Sequence, residues 1–367
     1  MNNNLKLNLP KFVLLVSIIF LAFVFLMGCE RYKVVNKINI ADTIGFDVDK
    51  ENEKELLGGN IIHQYQSGKE EGSPKATFSK GDSAEDAIAG TYRKSAFPIE
   101  IGKTRVLVFS EEFIQQKTLK DIMTTFDMNV KFGTNMKVII SKEPIPFFFD
   151  NILKQEDNKF LFNLIDQNMT NNNIPYSNLH IFLFDYYGEG RDPFLPYVSI
   201  ENGEITLTNV GIIGREDKLQ MLLGTKESWL LKLIVNDSKE LKYTIPIHKD
   251  GKEGILSFNH VFGDSKITIN PNENSLKIDL TTNSMIVGQP HWLNSKKDNN
   301  LIKEEVENFL IKNYIEMFKE FQKNDVDPIG VGDSFRSKDR SWNEKEFYKT
   351  KYPNLDVDFN VSFHLLN

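Results

Sequence analysis

The end of the chain constrains the fold most strongly. From Leu355 to Leu365, apolar side chains alternate with polar ones. This is the period of a β-strand with one buried face and one solvent-exposed face. Such a strand needs a neighbouring strand for its hydrogen bonds and a second layer over its apolar face. The fold must therefore end in a sheet that is covered on one side.

A long amphipathic helix is predicted shortly before this strand, over Leu301–Gln322. Its apolar residues recur at three- and four-residue steps and form one stripe. They are Ile302, Val306, Phe309, Leu310, Tyr314, Met317 and Phe321. We expect this helix to lie across the sheet that contains the last strand.

Short strands dominate the sequence from Glu204 onwards, and turn residues separate them at short intervals, which favours an antiparallel meander. The candidates are Ile205–Ile213, Trp229–Val235, Gly254–Asn259, Ser265–Ile269 and Leu276–Thr281. Residues 201–367 are therefore predicted to form a C-terminal domain, an antiparallel sheet packed with one long helix.

Residues 29–200 alternate strands with helices instead. A strand or a bulged pair of strands is predicted at Lys37–Val48. Further strands are predicted at Leu56–Tyr65, Arg105–Phe109 and Met136–Ile140, and a polar loop at Ser67–Lys80. Asp82/Ser83 and Ser110 are typical helix N-caps. The predicted class is therefore α/β (α+β) and multi-domain. If this N-terminal α/β region divides again, we expect the division near residues 130–150.

The first 29 residues predict a lipoprotein signal peptide. Lys6 and Lys11 precede Phe12–Met27, an apolar run of 16 residues that only Ser17 interrupts. A spanning helix needs about 20 such residues, so the run suits a signal peptide better. The alternative is an uncleaved N-terminal anchor with an incidental cysteine.

Leu26, Met27, Gly28 and Cys29 have the form of a lipobox, in which a small residue precedes the cysteine that takes the lipid. We expect signal peptidase to recognise Leu26–Gly28 and cleave after residue 28. Cys29 would then carry a thioether-linked diacylglycerol and an N-acyl chain, and two acyl signals hold a protein stably on a membrane.

Composition excludes several other classes. The chain has 40% hydrophobic and 26% charged residues, the balance of a globular protein. Its 44 basic and 51 acidic side chains give a net charge of −7, and nucleic-acid binders usually carry a basic excess instead. A single cysteine excludes an internal disulfide framework and a cysteine-based zinc site.

Signals of catalysis are nearly absent. The six histidines include no pair at i, i+4, and no Walker or Gly-x-Ser-x-Gly sequence occurs. Gly330-Val331-Gly332 follows a predicted helix rather than a strand, which argues against a dinucleotide-binding motif. Neither a metal nor a cofactor is expected beyond the lipid on Cys29. A catalytic carboxylate pair, as in glycosidases, remains an alternative, but the sequence alone does not give the separation of the two groups. Its candidates are Asp185, Asp192, Asp325 and Asp327.

Five segments, taken in order, resemble the Ger(x)C or GerAC family of spore germination lipoproteins. The strand ending at Ile44–Glu53 follows the lipobox, although Glu30-Arg31 replace the family's usual Trp-Asp. The next segments are Arg105–Glu112, Asp192–Pro196, Gly211–Leu223, and Asp327–Arg336 with the following Trp342 and Tyr352–Leu355. The last segment is similar to the family's D-P-I-G-x-G-x-x-F-R sequence.

The resemblance implies a non-enzymatic subunit of a nutrient-germinant receptor that is needed for spore germination. It implies a lipid anchor on the outer face of the spore inner membrane, beside two integral membrane subunits to which the nutrient site is usually assigned. The implied fold is α/β with small domains, and no nucleic-acid partner is expected. A solute-binding lipoprotein of a transporter and a lipid-anchored wall hydrolase are the alternatives.

Two of these segments have a structural as well as a partner-binding interpretation. In the first, Asp192 and Pro193 fit a rigid turn between domains. In the second, we expect Pro328 to end the helix and Phe335 to plug the core. Gly330 and Gly332, in the segment that Asp327 opens, permit a tight turn. Exposed members such as Asp333 or Arg336 would be free to contact a partner.

Overall fold

The computed structural model describes Ser17 and residues 38–52, 54–64, 73–129, 131–155, 157, 159–171, 174–235 and 239–366. The predicted signal peptide and Cys29 lie outside these residues, apart from Ser17. Two sheets with helices packed around them confirm the predicted mixed α/β class.

Within the described residues, nine strands form the first sheet, in the order β3-β2-β1-β5-β6-β7-β8-β9 with β4 beside β1. They are β1 Asn39–Val48, β2 Leu56–Gln64, β3 Lys75–Gly81, β4 Ile99–Glu100, β5 Val106–Ser110, β6 Lys137–Ser141, β7 Phe194–Glu201, β8 Glu204–Ile213 and β9 Leu219–Leu223. The centre of the sheet is parallel (β1, β5, β6 and β7), and its two flanks are antiparallel. Both faces are covered, as central parallel strands require.

Seven helices accompany this sheet in the described part of the chain. They are α1 Ala84–Tyr92, α2 Glu111–Gln116, α3 Lys120–Met128, α4 Ile145–Ile152, α5 Phe160–Asn171, α6 Leu179–Tyr187 and α7 Thr225–Val235. Helices α1, α2, α3 and α6 contribute to the core on one face. Helices α4, α5 and α7 contribute to the core on the other face, which continues into the second sheet.

The predicted N-caps begin two of these helices. The Ser83 side chain accepts the backbone N–H of Asp86 at 3.1 Å, and α1 starts at the next residue. The Ser110 side chain accepts the N–H of Phe113 at 3.0 Å and starts α2 in the same way. Each bond satisfies a donor that the first helical turn leaves without an internal partner.

The second sheet has the order β10-β11-β12-β13. Its strands are β10 Lys239–Lys249, β11 Lys252–Asn270, β12 Ser275–Gly288 and β13 Asp356–Leu365. The predicted helix is α8, Asn299–Lys323, and Tyr314 on it stacks on Phe359 of β13 with ring centroids 5.3 Å apart. The structure therefore confirms the last strand and the helix that covers it.

Several details differ from the expected antiparallel meander. Strand β13 runs parallel to β12, because α8 returns the chain to the end at which β12 began. The two predicted strands Gly254–Asn259 and Ser265–Ile269 are one long strand, β11, with bulges at Ser257/Phe258 and His260/Phe262. The polar loop predicted to Lys80 was wrong from Lys75 onwards, where edge strand β3 begins.

The predicted strand Trp229–Val235 was also wrong, because this segment is the end of α7. Trp229, Leu230, Leu231, Leu233 and Ile234 are all buried. A short run that is apolar on every side shows neither the strand period nor the helix period, so pattern alone does not separate the two structures.

Strand β8 does not belong to the C-terminal meander in which it was expected. It pairs with β7 along its length, from Glu201↔Glu204 to Phe194↔Ile212. The first sheet therefore crosses residue 200, and the second sheet begins only at Lys239. The domain boundary at residue 200, and a division near 130–150, stay predictions.

The chain between α8 and β13 consists of short helices and turns. They are α9 Val331–Arg336, α10 Glu344–Glu346, a π-helical turn Phe347–Lys351 and a 3-10 turn Tyr352–Asn354. This region packs against the loop between α6 and β7 and forms the site described next.

Candidate functional site

Two of the segments singled out in the sequence meet in space. Asp192 lies just before β7, and Asp327 follows α8. The N–H of Asp192 donates to the carbonyl oxygen of Asp327 at 3.0 Å, and the N–H of Asp327 donates to Asp192 Oδ2 at 2.6 Å. We call this region the junction and define it as residues 190–193 and 325–336 with Arg215 and Tyr348.

The Asp327 carboxylate organises the second segment. Its Oδ1 accepts the N–H groups of Gly330 and Val331, both at 3.0 Å, and its Oδ2 accepts the N–H of Gly332 at 2.8 Å. The Tyr348 hydroxyl donates to Oδ2 at 2.9 Å. Asp327 is only 1% exposed, so these donors replace water around the buried carboxylate.

Arg215, in the turn between β8 and β9, connects both segments. Its Nη1 lies 3.0 Å from Asp192 Oδ2, and its Nη2 donates to the carbonyl oxygen of Asp325 at 2.7 Å and pairs with that residue's carboxylate. The guanidinium also lies 3.6 Å from the centre of the Tyr348 ring. Such stacking with simultaneous forked bonding is specific to arginine.

A second ionic network lies beside the first. Arg191 Nη1 is 3.0 Å from Asp185 Oδ1, and Arg191 Nη2 pairs with Asp333. Arg336 Nη2 lies 2.7 Å from Asp333 Oδ1. Asp333 and Arg336, expected to be free for a partner, therefore pair with each other, although half of the Arg336 side chain is exposed.

Glycines allow the two backbones to touch. Gly190 has φ +85°, and a Cβ at this position would lie 2.3 Å from the backbone nitrogen of Asp333. The same nitrogen donates to the Gly190 carbonyl oxygen at 2.8 Å. A Cβ on Gly332 would lie 2.6 Å from the Tyr348 hydroxyl, and Gly330 has φ +78°. The expected tight turn is present, and the glycines also serve close approach.

The apolar side of the junction contains Phe335, which is fully buried, as expected of a core plug. Its ring centroid lies 5.0 Å from that of Phe347. Pro193 accepts the N–H of Ile213 through its carbonyl oxygen at 2.9 Å and thereby connects the loop to β8. Pro328 does not end the long helix, because α8 already stops at Lys323.

Burial dominates the electrostatics of the two central aspartates. Burial raises the pKa of Asp192 to about 7, and Arg215 and the backbone N–H of Asp327 oppose this shift, whereas the negative charges of Asp327 and Asp325 add to it. Burial also raises the pKa of Asp327, against the lowering effect of its backbone and tyrosine donors. Because burial outweighs the donors around them, both carboxylates hold a proton more readily than a solvent-exposed aspartate does.

The structure brings together three of the four acidic residues weighed as a carboxylate pair. Asp192 and Asp325 both pair with Arg215, and the Asp192 carboxylate accepts the N–H of Asp327, whereas Asp185 pairs with Arg191. Sequence reasoning missed Gly190, Arg191, Arg215 and Tyr348. The adjacency of Gly190 and Arg191 to Asp192, and the place of Arg215 within the segment Gly211–Leu223, were the signals available in the sequence.

The predicted lipid attachment at Cys29 and the recognition residues Leu26, Met27 and Gly28 lie outside the described residues. Among those that are described, no helix is both long and apolar enough to cross a membrane. Nor does the described part bring together three or more His, Cys, Asp or Glu residues that could hold a metal ion. The expected absence of metal and cofactor stays a prediction.

Known protein families match almost the whole region that folds in this way. Residues 31–200 match the family described as "Spore germination protein N-terminal domain". Residues 208–367 match "Spore germination B3/ GerAC like, C-terminal". The chain belongs to the GerAC family of spore germination proteins. This confirms the family resemblance found in the sequence.

Individual relatives agree with this family assignment. The chain is similar to the spore germination protein GerQC of Bacillus cereus, at 25% identity over 336 residues that cover 88% of this chain and 90% of GerQC. The crystal structure of the GerBC protein aligns with a TM-score of 0.55 at 15% identity, covering 88% of this chain and 97% of GerBC. That structural likeness supports the multi-domain α/β fold.

In this GerAC-family chain the junction joins the two matched regions. Asp192 belongs to the first region and Asp327 to the second. Their reciprocal hydrogen bonds, the Arg215–Asp192 ion pair and the close contact of Gly190 with Asp333 all join the first region to the second. The Arg215–Asp325 pair lies within the second region.

Proposed function

We propose that this chain is a lipid-anchored, non-enzymatic subunit of a spore nutrient-germinant receptor. Cys29 carries the lipid after removal of residues 1–28, and the folded part lies on the outer face of the spore inner membrane. Two integral membrane subunits are its partners. The observation that carries the proposal is the ordered match of both germination-protein families, over residues 31–200 and 208–367.

The junction supports a structural rather than a catalytic role. Asp192 and Asp327 are 2% and 1% exposed, and hydrogen-bond donors of the chain itself occupy their oxygens. A catalytic carboxylate must come within hydrogen-bond reach of a substrate. Neither residue has that access, so the acidic cluster favours holding the chain together over hydrolysing a wall polymer.

A rigid connection suits a subunit that works by docking between other proteins. The junction fixes the loop before β7 to the segment after α8 by backbone hydrogen bonds and buried ion pairs. Buried networks of this kind break only at a high cost in free energy. We infer that the two matched regions present their surfaces to the partners as one body.

Crosslinking in spore membranes tests the proposal. The tagged protein is crosslinked in intact spores, purified from detergent-solubilised membranes, and its partners are identified by mass spectrometry. We expect two polytopic membrane proteins. Recovery of a transporter ATPase and permease would favour a solute-binding lipoprotein instead.

The anchor is tested with Cys29→Ala, because this substitution removes the only thiol of the chain. We expect loss of the variant from the membrane fraction and unchanged melting of the folded part. Unchanged membrane retention would mean that residues 12–27 act as an uncleaved anchor. Cys29→Ser is a closer steric match and serves as a second variant.

A further inference from the structure

The chain enters the fold at one defined edge of the first sheet. Strands β1, β5 and β6 are parallel, and Thr43, Val106 and Lys137 are neighbours in register. Strand β1 starts earlier, at Asn39, so it projects about 13 Å beyond the first residues of β5 and β6. The segment before Ile38 therefore leaves from the edge at which these three strands begin. We call it the entry edge.

A short connection limits how far this edge lies from a lipid on Cys29. Residues 30–37 are the only ones between Cys29 and Ile38. Even fully extended, this length of chain reaches about 30 Å. With the anchor of the proposed function, the entry edge stays within about 30 Å of the bilayer.

An apolar groove of about 460 Å³ lies at the same edge, between the end of α3 and helix α6. The loop that leads into β6 forms one wall, since the N–H of Leu179 in α6 donates to the Met136 carbonyl oxygen at 2.7 Å. Phe184 and Tyr187 line the groove and are 60% and 48% exposed. Met128, at the end of α3, is 76% exposed.

Two exposed lysines lie in loops at the entry edge, although the protein as a whole is acidic. Lys103 precedes β5, and Lys131 precedes β6; both are exposed. Glu100, the last residue of β4, and Asp127, in the last turn of α3, are acidic residues that adjoin these loops in sequence. Residues 30–37 themselves contain three basic residues and one acidic residue.

We propose that the entry edge faces the bilayer and that Met128, Phe184 and Tyr187 sit among the lipid headgroups. The inference rests on the lipid anchor of the proposed function. Aromatic side chains and methionine beside lysines and arginines suit the boundary between anionic headgroups and acyl chains. A lipid surface is the occupant that the short connection brings to this edge.

Site-directed labelling of the full lipidated protein tests this orientation. Cys29 would be acylated, so Met128→Cys supplies the only free thiol. A fluorophore on this thiol is measured in vesicles of phosphatidylcholine and phosphatidylglycerol that contain a lipid-bound quencher. The matched control is Val287→Cys, an apolar position of the second sheet that is 63% exposed. We expect loss of fluorescence at position 128 and none at position 287.

Flotation of the same vesicles separates the two ways in which the result can fail. Protein that floats with the vesicles but is not quenched at position 128 overturns the orientation and leaves the anchor intact. Protein that does not float overturns the anchor and the orientation together. Equal quenching at positions 128 and 287 would show non-specific adsorption and would also overturn the orientation.

A charge variant checks the electrostatic part of the argument. Lys103→Gln combined with Lys131→Gln is expected to reduce quenching at position 128 in anionic vesicles and to leave it unchanged in pure phosphatidylcholine. Equal quenching of the parent and this variant in anionic vesicles would contradict a role for these lysines. If crosslinking in spores instead joins position 128 to a polytopic protein, a protein surface and not lipid covers this edge.

Discussion

Asp192 and Asp327 hold each other through two hydrogen bonds in opposite directions. The N–H of Asp192 donates to the carbonyl oxygen of Asp327 at 3.0 Å, and Asp192 Oδ2 accepts the N–H of Asp327 at 2.6 Å. The two residues are 135 positions apart in the chain. This pair therefore fixes the relative position of β7 and the segment after α8.

Asp327→Asn is expected to destabilise the protein by at least about 2 kcal/mol, because an amide group replaces one of two accepting oxygens. If the amide nitrogen takes the place of Oδ2, it faces the N–H of Gly332 and the Tyr348 hydroxyl. If it takes the place of Oδ1, it faces the N–H groups of Gly330 and Val331, so backbone donors lose their acceptor in either orientation. The free energy of unfolding in urea measures the loss. The control is Asp358→Asn, at an exposed position of β13. An equal loss of unfolding free energy in both variants would mean that the buried carboxylate of Asp327 stabilises the fold no more than an exposed one does.

Gly190→Ala is expected to be more harmful than Gly203→Ala, although both glycines have φ +85°. The backbone cost of about 1–2 kcal/mol is common to both variants. Only at Gly190 would the new methyl group meet another backbone, 2.3 Å from the Asp333 nitrogen; nothing lies within 4 Å at Gly203.

The extra cost at Gly190 should be about 2 kcal/mol or more, as for other overpacked sites. Thermal unfolding of the two variants in parallel isolates this steric contribution from backbone strain. Similar melting temperatures would mean that the two segments separate easily at this point and that the junction is not rigid.

Regular patterns in the sequence predicted the elements whose two faces differ in environment. The alternation at Leu355–Leu365 predicted β13, and the apolar stripe of Leu301–Gln322 predicted α8. The segment Trp229–Val235 was misassigned because it is buried on all sides and has no polar face. Strand β3 was missed because an edge strand with exposed residues resembles a polar loop.

The candidate site shows the same limit. Sequence reasoning singled out Asp192–Pro196 and Asp327–Arg336 separately, as turns with Asp, Pro and Gly. Nothing local indicated that they meet, or that Arg215 and Tyr348 join them. Contacts over more than a hundred residues depend on strand order, and a single sequence carries no local signal for strand order.

Phe335→Ala is expected to lower the free energy of unfolding by about 3–5 kcal/mol, because the ring is fully buried and its removal leaves a cavity. The matched control is Phe262→Ala, where the residue is 51% exposed and the cost should be about 0.5 kcal/mol. Chemical unfolding followed by tryptophan fluorescence measures both. An unchanged midpoint for Phe335→Ala would refute its role as a core plug.

The last prediction concerns pH. Burial raises the pKa of Asp192 to about 7 in the folded state, above the value of about 3.9 in an unfolded chain. Between these values the folded state binds more protons than the unfolded state, so the free energy of unfolding must fall as pH rises. The stabilisation is complete below about pH 4 and is lost as pH rises through about 7.

Asp192→Asn removes this titration, because an amide does not ionise in this range. The stability of the wild-type protein relative to the variant should therefore decrease between about pH 4 and pH 7 and stay level above that. Urea unfolding at a series of pH values gives the difference, in which groups common to both proteins cancel. A difference that grows with pH would mean that the ion pair with Arg215 outweighs burial and lowers the pKa of Asp192 instead.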